Sequence, residues 1–113
     1  MAEVIYINAE EGKRRVMNNE KLYAKLLTKF KADTNIVDFF AFADAQDWDK
    51  AQASIHAVKG LAANLSLTEL FNQSIKVEAQ VKEGSLTPDN VENLKACFAE
   101  TLIHVEKVIG ENA

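Results

Sequence analysis

Two histidines occur in this sequence, and one of them has neighbours suited to chemistry. His56 lies in the stretch IHAVKGLAANLSL at 55–67, with Lys59 three residues on and Gly60 four residues on. A neutral imidazole is a competent nucleophile near neutral pH. An ammonium at i+3 on a helix reaches the same region and can steady an anionic group by charge-assisted hydrogen bonds. A helical glycine costs about 1 kcal/mol against alanine, so Gly60 needs a reason. The apolar residues of the segment are Trp48, Ala51, Ile55, Val58, Ala62 and Leu65, with Leu61 at the margin. Their mean direction on a helical wheel lies about 140° from His56, which therefore faces outward. It shares that face with Gln52, Ala53, Lys59, Gly60 and Ala63, the expected docking face. Small side chains around an exposed imidazole clear a path for another macromolecule, and Gly60 removes the side chain best placed to block it. The chemistry that suits such a group is transfer or transient holding of an anionic group, and a phosphoryl on a ring nitrogen would be stabilised by the lysine. The competing reading is an ordinary surface histidine. His104, off the apolar stripe of its helix and without such a clearing, is read as surface decoration.

The elements that must position His56 are helices. Asn8 with Glu11 three residues later reads as the cap of a short first helix, which Gly12 weakens. A second helix starts near Asn18 or Asn19, with Leu22, Tyr23, Leu26, Leu27 and Phe30 at steps of three and four and Lys25, Lys29 and Lys31 on the other side. A third runs from Asn35 to Ala45. It is apolar over a wide arc, which predicts burial between two neighbours or a docking patch at Val37 or Phe42. The fourth, which carries His56, starts after Asp47 and ends near Leu65. Ser66 with Glu69 reads as a capping box, stapled by Leu65 and Leu70, that starts a fifth helix over 67–83. Leu67, Leu70, Ser74, Val77 and Val81 form its seam, and Gly84 suits its end. Thr87 caps the last helix, Pro88 opens it, Leu86 and Val91 can staple it, and Gly110 should fray it. The opening VIYI reads as an extended lead-in packed on the bundle. The expected fold is all-α: an antiparallel four-helix bundle with an additional short N-terminal helix.

Composition limits the function classes. The 113 residues fit one domain spanning 1–113, with 48% apolar and 27% charged residues. The net charge is −4 and lysines and acids are interspersed with no basic tract, so nucleic acid is not an expected partner. Cys97 is the one cysteine, which fits a reducing compartment. No apolar run approaches a membrane span, and the start lacks the pattern of a secretory leader. A cytoplasmic monomer is expected.

The run from His56 through Leu67 resembles the histidine-containing phosphotransfer (HPt) family, whose motif is H-x-x-K-G, then small residues, then Gly-x-x-x-Leu. Val77-Glu78 is similar to a Leu-Glu pair of the family's next helix. Upstream, Trp48, Gly12 and the Glu20–Phe30 segment are similar too, so the resemblance covers most of the chain. It implies that His56 accepts phosphate through Nε2 from an aspartate on a receiver domain, of a response regulator or a hybrid histidine kinase, or returns it. Lys59 would steady the phosphoryl group and Gly60 would admit the receiver. Glu78 stands where the family often has glutamine and would hold the ring through Nδ1. Lys82 would add positive charge. Ser66 departs from the family, which usually has glycine there.

No Gly-rich phosphate loop is present, so the expectation is a carrier between enzymes and not a complete histidine kinase. No cofactor and no metal site of its own are expected. Any Mg²⁺ would sit on the receiver's acidic site. The alternative is a helical interaction module that binds receivers or other helical partners without carrying phosphate. A metal-binding bundle has little support, because the two histidines lie on different helices and no inward Glu-x-x-His pair occurs.

Overall fold

The computed structural model describes residues 4–112 and is built of six helices: α1 Ala9–Arg15, α2 Glu20–Ala32, α3 Asn35–Asp44, α4 Trp48–Leu65, α5 Thr68–Glu83 and α6 Pro88–Asn112. Among the described residues there is no strand. The expectation of an all-α bundle with a short N-terminal helix holds. The reading of the N-terminus as leaderless begins on Met1, Ala2 and Glu3, which with Ala113 lie outside the described residues.

Four of the six helices, α1, α2, α4 and α6, begin where a cap side chain satisfies an otherwise orphaned first-turn amide. The Glu11 amide donates to the Asn8 side chain at 3.2 Å, and the Leu22 amide donates to that of Asn19 at 3.0 Å. The Lys50 amide donates to Asp47 at 3.4 Å, fixing the start of the histidine helix. Thr87 and Asn90 cap each other reciprocally, Asn90 N–H to Thr87 Oγ1 at 3.2 Å and Thr87 N–H to Asn90 Oδ1 at 3.1 Å. Gly84 ends α5 in the left-handed region, φ +71°, which glycine adopts without a Cβ penalty.

Within the bundle α4 packs chiefly on α3 and α5, and α6 packs on α5 and α2. One core cluster joins Tyr23 and Leu27 of α2, Phe39 of α3, Ile55 and Val58 of α4, Leu70 and Val77 of α5 and Leu94 and Val105 of α6. The apolar stripes read from the sequence supply it, as a half-buried helix requires.

Several expectations change. Ser66 does not cap α5: Leu67 holds the N-cap position, without a side-chain bond, and Glu69 accepts instead from Gln73 Nε2 at 3.0 Å. Ser66 ends α4 with φ +58° and ψ +40°, the left-handed conformation. That conformation accounts for the glycine usual at this position in the family that the sequence resembles, because a Cβ there costs about 1–2 kcal/mol. Ser66 offsets the cost with a hydrogen bond from Oγ to Glu11 Oε1 at 3.0 Å, and its carbonyl accepts from the Asn8 amide at 2.9 Å. On α3 only Ile36 and Phe39 are buried; Val37 is 59% exposed and Phe42 half-buried, so this helix covers α4 on one side and is not sandwiched. Trp48, at the first turn of α4, is 41% exposed despite its place in the apolar stripe. α6 runs through Gly110 to Asn112, since one exposed glycine costs too little to stop a helix anchored by Val105 and Val108. His104 is not decoration: Tyr6 of the lead-in stacks on its ring, centroids 5.0 Å apart. Tyr6 and Ile7 pack on the core as expected, whereas Val4 and Ile5 are exposed.

Gly12 is a requirement of α1 and not only a weakness. A Cβ there would lie 2.4 Å from the Tyr23 ring and hydroxyl. Tyr23 cannot yield, because its side chain is fully buried and its hydroxyl donates to the Leu65 carbonyl at 2.7 Å. Burial, with the Glu11 charge nearby, pushes that hydroxyl up to about 12, so it stays a donor. Gly12→Ala should therefore destabilise the fold by about 1–3 kcal/mol, the usual range for overpacking, measured as a lower urea midpoint at unchanged slope.

Candidate functional site

Heptad-like spacing on two neighbouring helices brings the site together. His56 and Lys59 lie one turn apart on α4, so both project toward the same part of α5. There Val77, Glu78 and Val81 are buried and turn toward the bundle. Glu78 is carried in with them, and its side chain is only 5% exposed. A buried carboxylate needs partners, and α4 supplies two. His56 Nδ1 lies 3.0 Å from Glu78 Oε2, and Lys59 Nζ donates to Glu78 Oε1 at 2.6 Å. Lys82, one turn further along α5, brings Nζ to 3.9 Å from Oε2.

Glu78's carboxyl feels opposed influences. Burial pushes it up, but the hydrogen bonds and charges of Lys59 and His56 outweigh burial and hold it below the ordinary glutamate value of 4.5. Ionised Glu78 can only accept, so the neutral imidazole places its proton on Nδ1 and leaves the lone pair on Nε2. Nε2 has no hydrogen-bond partner among the described residues, and the ring is 69% exposed. The site thus presents an unprotonated nitrogen to solvent, oriented from behind by a carboxylate that can also stabilise positive charge on the ring.

Around the imidazole the small-residue face is in place. Ala53 and Gly60 are exposed, Gln52 and Ala63 partly so, and a Cβ on Gly60 would meet nothing within 4 Å. The sequence reading placed Lys59 free to meet an anion; in the structure its ammonium is already engaged by Glu78, so it would share its donors or pivot to do so. That reading passed over Ile75, which is 43% exposed one turn before Glu78 on α5. Its signal was there: Ile75 falls off the apolar seam of α5 on the side of Glu78. Cys97 takes no part, since it is buried and burial pushes its thiol up to about 11 despite the Thr101 hydroxyl. Among the described residues no group of three or more His, Cys, Asp or Glu side chains could hold a metal ion, and no helix is long and apolar enough to cross a membrane.

Comparison with known proteins gives one result. The family model described as the Hpt domain matches residues 20–103, which takes in α2 to α5 and most of α6. No curated protein and no solved structure matches the chain.

The lowered pKa of Glu78 fixes the sign of a pH effect. A carboxyl whose folded pKa is depressed stabilises the fold above its unfolded pKa and loses that contribution as pH falls through the folded value. Glu78→Gln should cost roughly 1.5–3 kcal/mol near pH 6–7, the range for hydrogen bonds to a charged group, and the gap to wild type should close as pH falls below about 4.5. Urea titrations of both proteins across that range measure it.

Proposed function

The chain belongs to the Hpt domain family, phosphotransfer modules of two-component signalling that interact with receiver domains, and on that premise we propose that residues 1–113 act as one phosphoryl carrier whose accepting atom is Nε2 of His56. Hpt domains carry phosphate and are not themselves kinases. The observation that carries the assignment is the 3.0 Å contact between His56 Nδ1 and Glu78, which leaves Nε2 open on an exposed ring.

The mechanism follows from those two atoms. Nε2 attacks the phosphorus of a receiver's aspartyl phosphate in line with the departing carboxylate. The N–P bond forms as the P–O bond breaks, and the aspartate leaves as a carboxylate. The ring keeps its Nδ1 proton and gains positive charge, which Glu78 stabilises through the existing hydrogen bond. The reverse step returns a neutral imidazole with its proton still on Nδ1, so no proton has to move in either direction. With so little covalent chemistry assigned to the protein, positioning and charge neutralisation supply the catalysis. Lys59 and Lys82 would balance the phosphoryl charge. Gln52, Ala53 and Ala63 would lie under the receiver, and Gly60 would let it close. A cytoplasmic monomer that relays between receivers fits this reading.

Incubation with purified phosphorylated receiver domains should place acid-labile, base-stable phosphate on the chain. His56→Gln should abolish that label, and label surviving in this variant would put the site elsewhere. Lack of label on wild type across a panel of receivers would leave the non-phosphorylated interaction module as the better account. Gly60→Phe should keep the fold, because the position is open, yet slow transfer from a receiver at least tenfold. An unchanged rate would remove the clearance argument.

A further inference from the structure

Trp48 departs from the rest of the apolar stripe of α4: it heads the helix and is 41% exposed. It lines a groove of about 400 Å³ at the end of the bundle where α3 leads into α4 and α5 into α6. Phe40, Leu86 and Val91, each half-buried, supply the apolar wall. Clefts that take ligands run from about 300 to 1,000 Å³, and tryptophan is enriched where binding energy concentrates. None of His56, Lys59, Glu78 and Lys82 lines this groove, so the phosphotransfer site does not account for it.

The charges around the groove are unbalanced. Glu92 is held by Lys95 at 3.4 Å, whereas Asp44, also on the groove, has no ion-pair partner among the described residues. Residues 44–50 and 83–92 hold six of the chain's 17 Asp and Glu but only one of its 13 Lys and Arg. Asp47 and Asp49 begin α4 and Asp89 begins α6, where the positive end of the helix dipole favours a carboxylate. Asp44 and Glu83 have no such reason. They are the last residues of α3 and α5, where the dipole disfavours an anion. The last turn of α3 has no basic residue, and Lys82 in that of α5 lies toward Glu78. A local rule broken without local compensation points to function.

The groove itself displays a way to hold a cation. Lys95 Nζ lies 5.4 Å from the centroid of the Phe40 ring while it pairs with Glu92, an ammonium shared by an aromatic face and a carboxylate. Trp48 and Asp44 are the same two kinds of group on the same groove. Among the described residues no lysine or arginine pairs with Asp44 or lies over the Trp48 ring. Tryptophan is the strongest of the aromatic faces toward a cation, and a guanidinium can stack on a ring while its planar donors meet a carboxylate. An anionic surface, whether lipid or nucleic acid, is repelled by the same charges.

We propose that this groove binds a cationic segment of a partner protein, with an arginine side chain on Trp48 and Asp44 and an adjacent apolar side chain against Leu86 and Val91. An apolar centre with an acidic rim is complementary to such a segment in both shape and charge. The site stands apart from His56 and does not depend on the phosphotransfer reading.

Trp48 is the one tryptophan of the chain, so its fluorescence reads the groove directly. The probes are two capped hexapeptides, ALRRLA and its acidic counterpart ALEELA, titrated into the full chain. ALRRLA should shift the emission saturably with a Kd below about 1 mM, and added salt should weaken it. ALEELA should not bind. Asp44→Lys should weaken ALRRLA at least tenfold and yet raise the urea midpoint, because a lysine suits the end of a helix. Asp44→Asn, which keeps the size of the side chain, should weaken it at least threefold. Glu100→Lys on α6, an equal charge reversal outside the groove, should move Kd less than twofold. Absence of a saturable shift with ALRRLA, equal binding of ALEELA, or an equal loss in Glu100→Lys overturns the proposal. So does a Kd that both Asp44 variants leave unmoved. A lower urea midpoint in both variants overturns it as well, by giving the carboxylate a structural role. Concentration-dependent association of wild type in sedimentation that Asp44→Lys abolishes assigns the groove to a second copy of the chain instead.

Discussion

A single buried carboxylate governs the arrangement around His56. Glu78 is carried inward by the same turn of α5 that buries Val77 and Val81, so it reaches the α4–α5 interface with its charge in a poorly hydrated place. Leaving such a charge unpaired costs several kcal/mol. Both partners come from α4, His56 and Lys59, and their spacing of one turn lets each take one oxygen of the same carboxylate. Helical geometry, register between α4 and α5, and the tautomer of the imidazole are therefore one constraint. A shift of α4 by one residue would break both bonds and strand the charge. The orientation of the exposed nitrogen is fixed by what lies behind the ring.

Precision at the ring also needs a helix that does not move, and α4 is held at both ends. Asp47 caps its start. Its last turn is gripped by contacts distant in sequence: Tyr23 donates to the Leu65 carbonyl, Asn8 to the Ser66 carbonyl, and Ser66 in turn to Glu11. All three partners, Tyr23, Asn8 and Glu11, belong to α1, its cap or α2. The short N-terminal helix thus clamps the end of the functional helix, and Gly12 exists so that Tyr23 can lie under it. Sites built on clamped helices hold their geometry better than sites on loops.

Most of this was legible in the sequence, for identifiable reasons. The caps at Asn8, Asn19, Asp47 and Thr87 are local signals, complete within four residues, and each marks a helix start in the structure. The outward face of α4 followed from periodicity alone. Ser66 misled because its hydroxyl fits a local capping motif, whereas its bond partner Glu11 lies 55 residues away. His104 misled likewise, since its ring contact comes from Tyr6 near the other end of the chain. The wide apolar arc of α3 overstated its burial, because pattern reports which residues tolerate burial and not how many neighbours arrive.

The position of Glu78 poses an electrostatic question that its surroundings answer. The family that the chain belongs to often has neutral glutamine there, which can orient an imidazole without adding charge. A carboxylate orients it more strongly but would oppose the phosphoryl dianion of the proposed transfer. With the phosphoryl on the far nitrogen, the two groups would stand roughly 7 Å apart, a repulsion of about 2 kcal/mol per charge at an effective dielectric of 20. Lys59 at 2.6 Å and Lys82 at 3.9 Å place two ammoniums around the one carboxylate, so the three groups together carry net positive charge. Both lysines have long stems and three donors each, and can turn toward the phosphoryl group without releasing Glu78 entirely. The exchange of glutamine for glutamate is thus consistent with phosphate chemistry only in the company of those lysines, which makes His56, Lys59, Glu78 and Lys82 a single electrostatic unit.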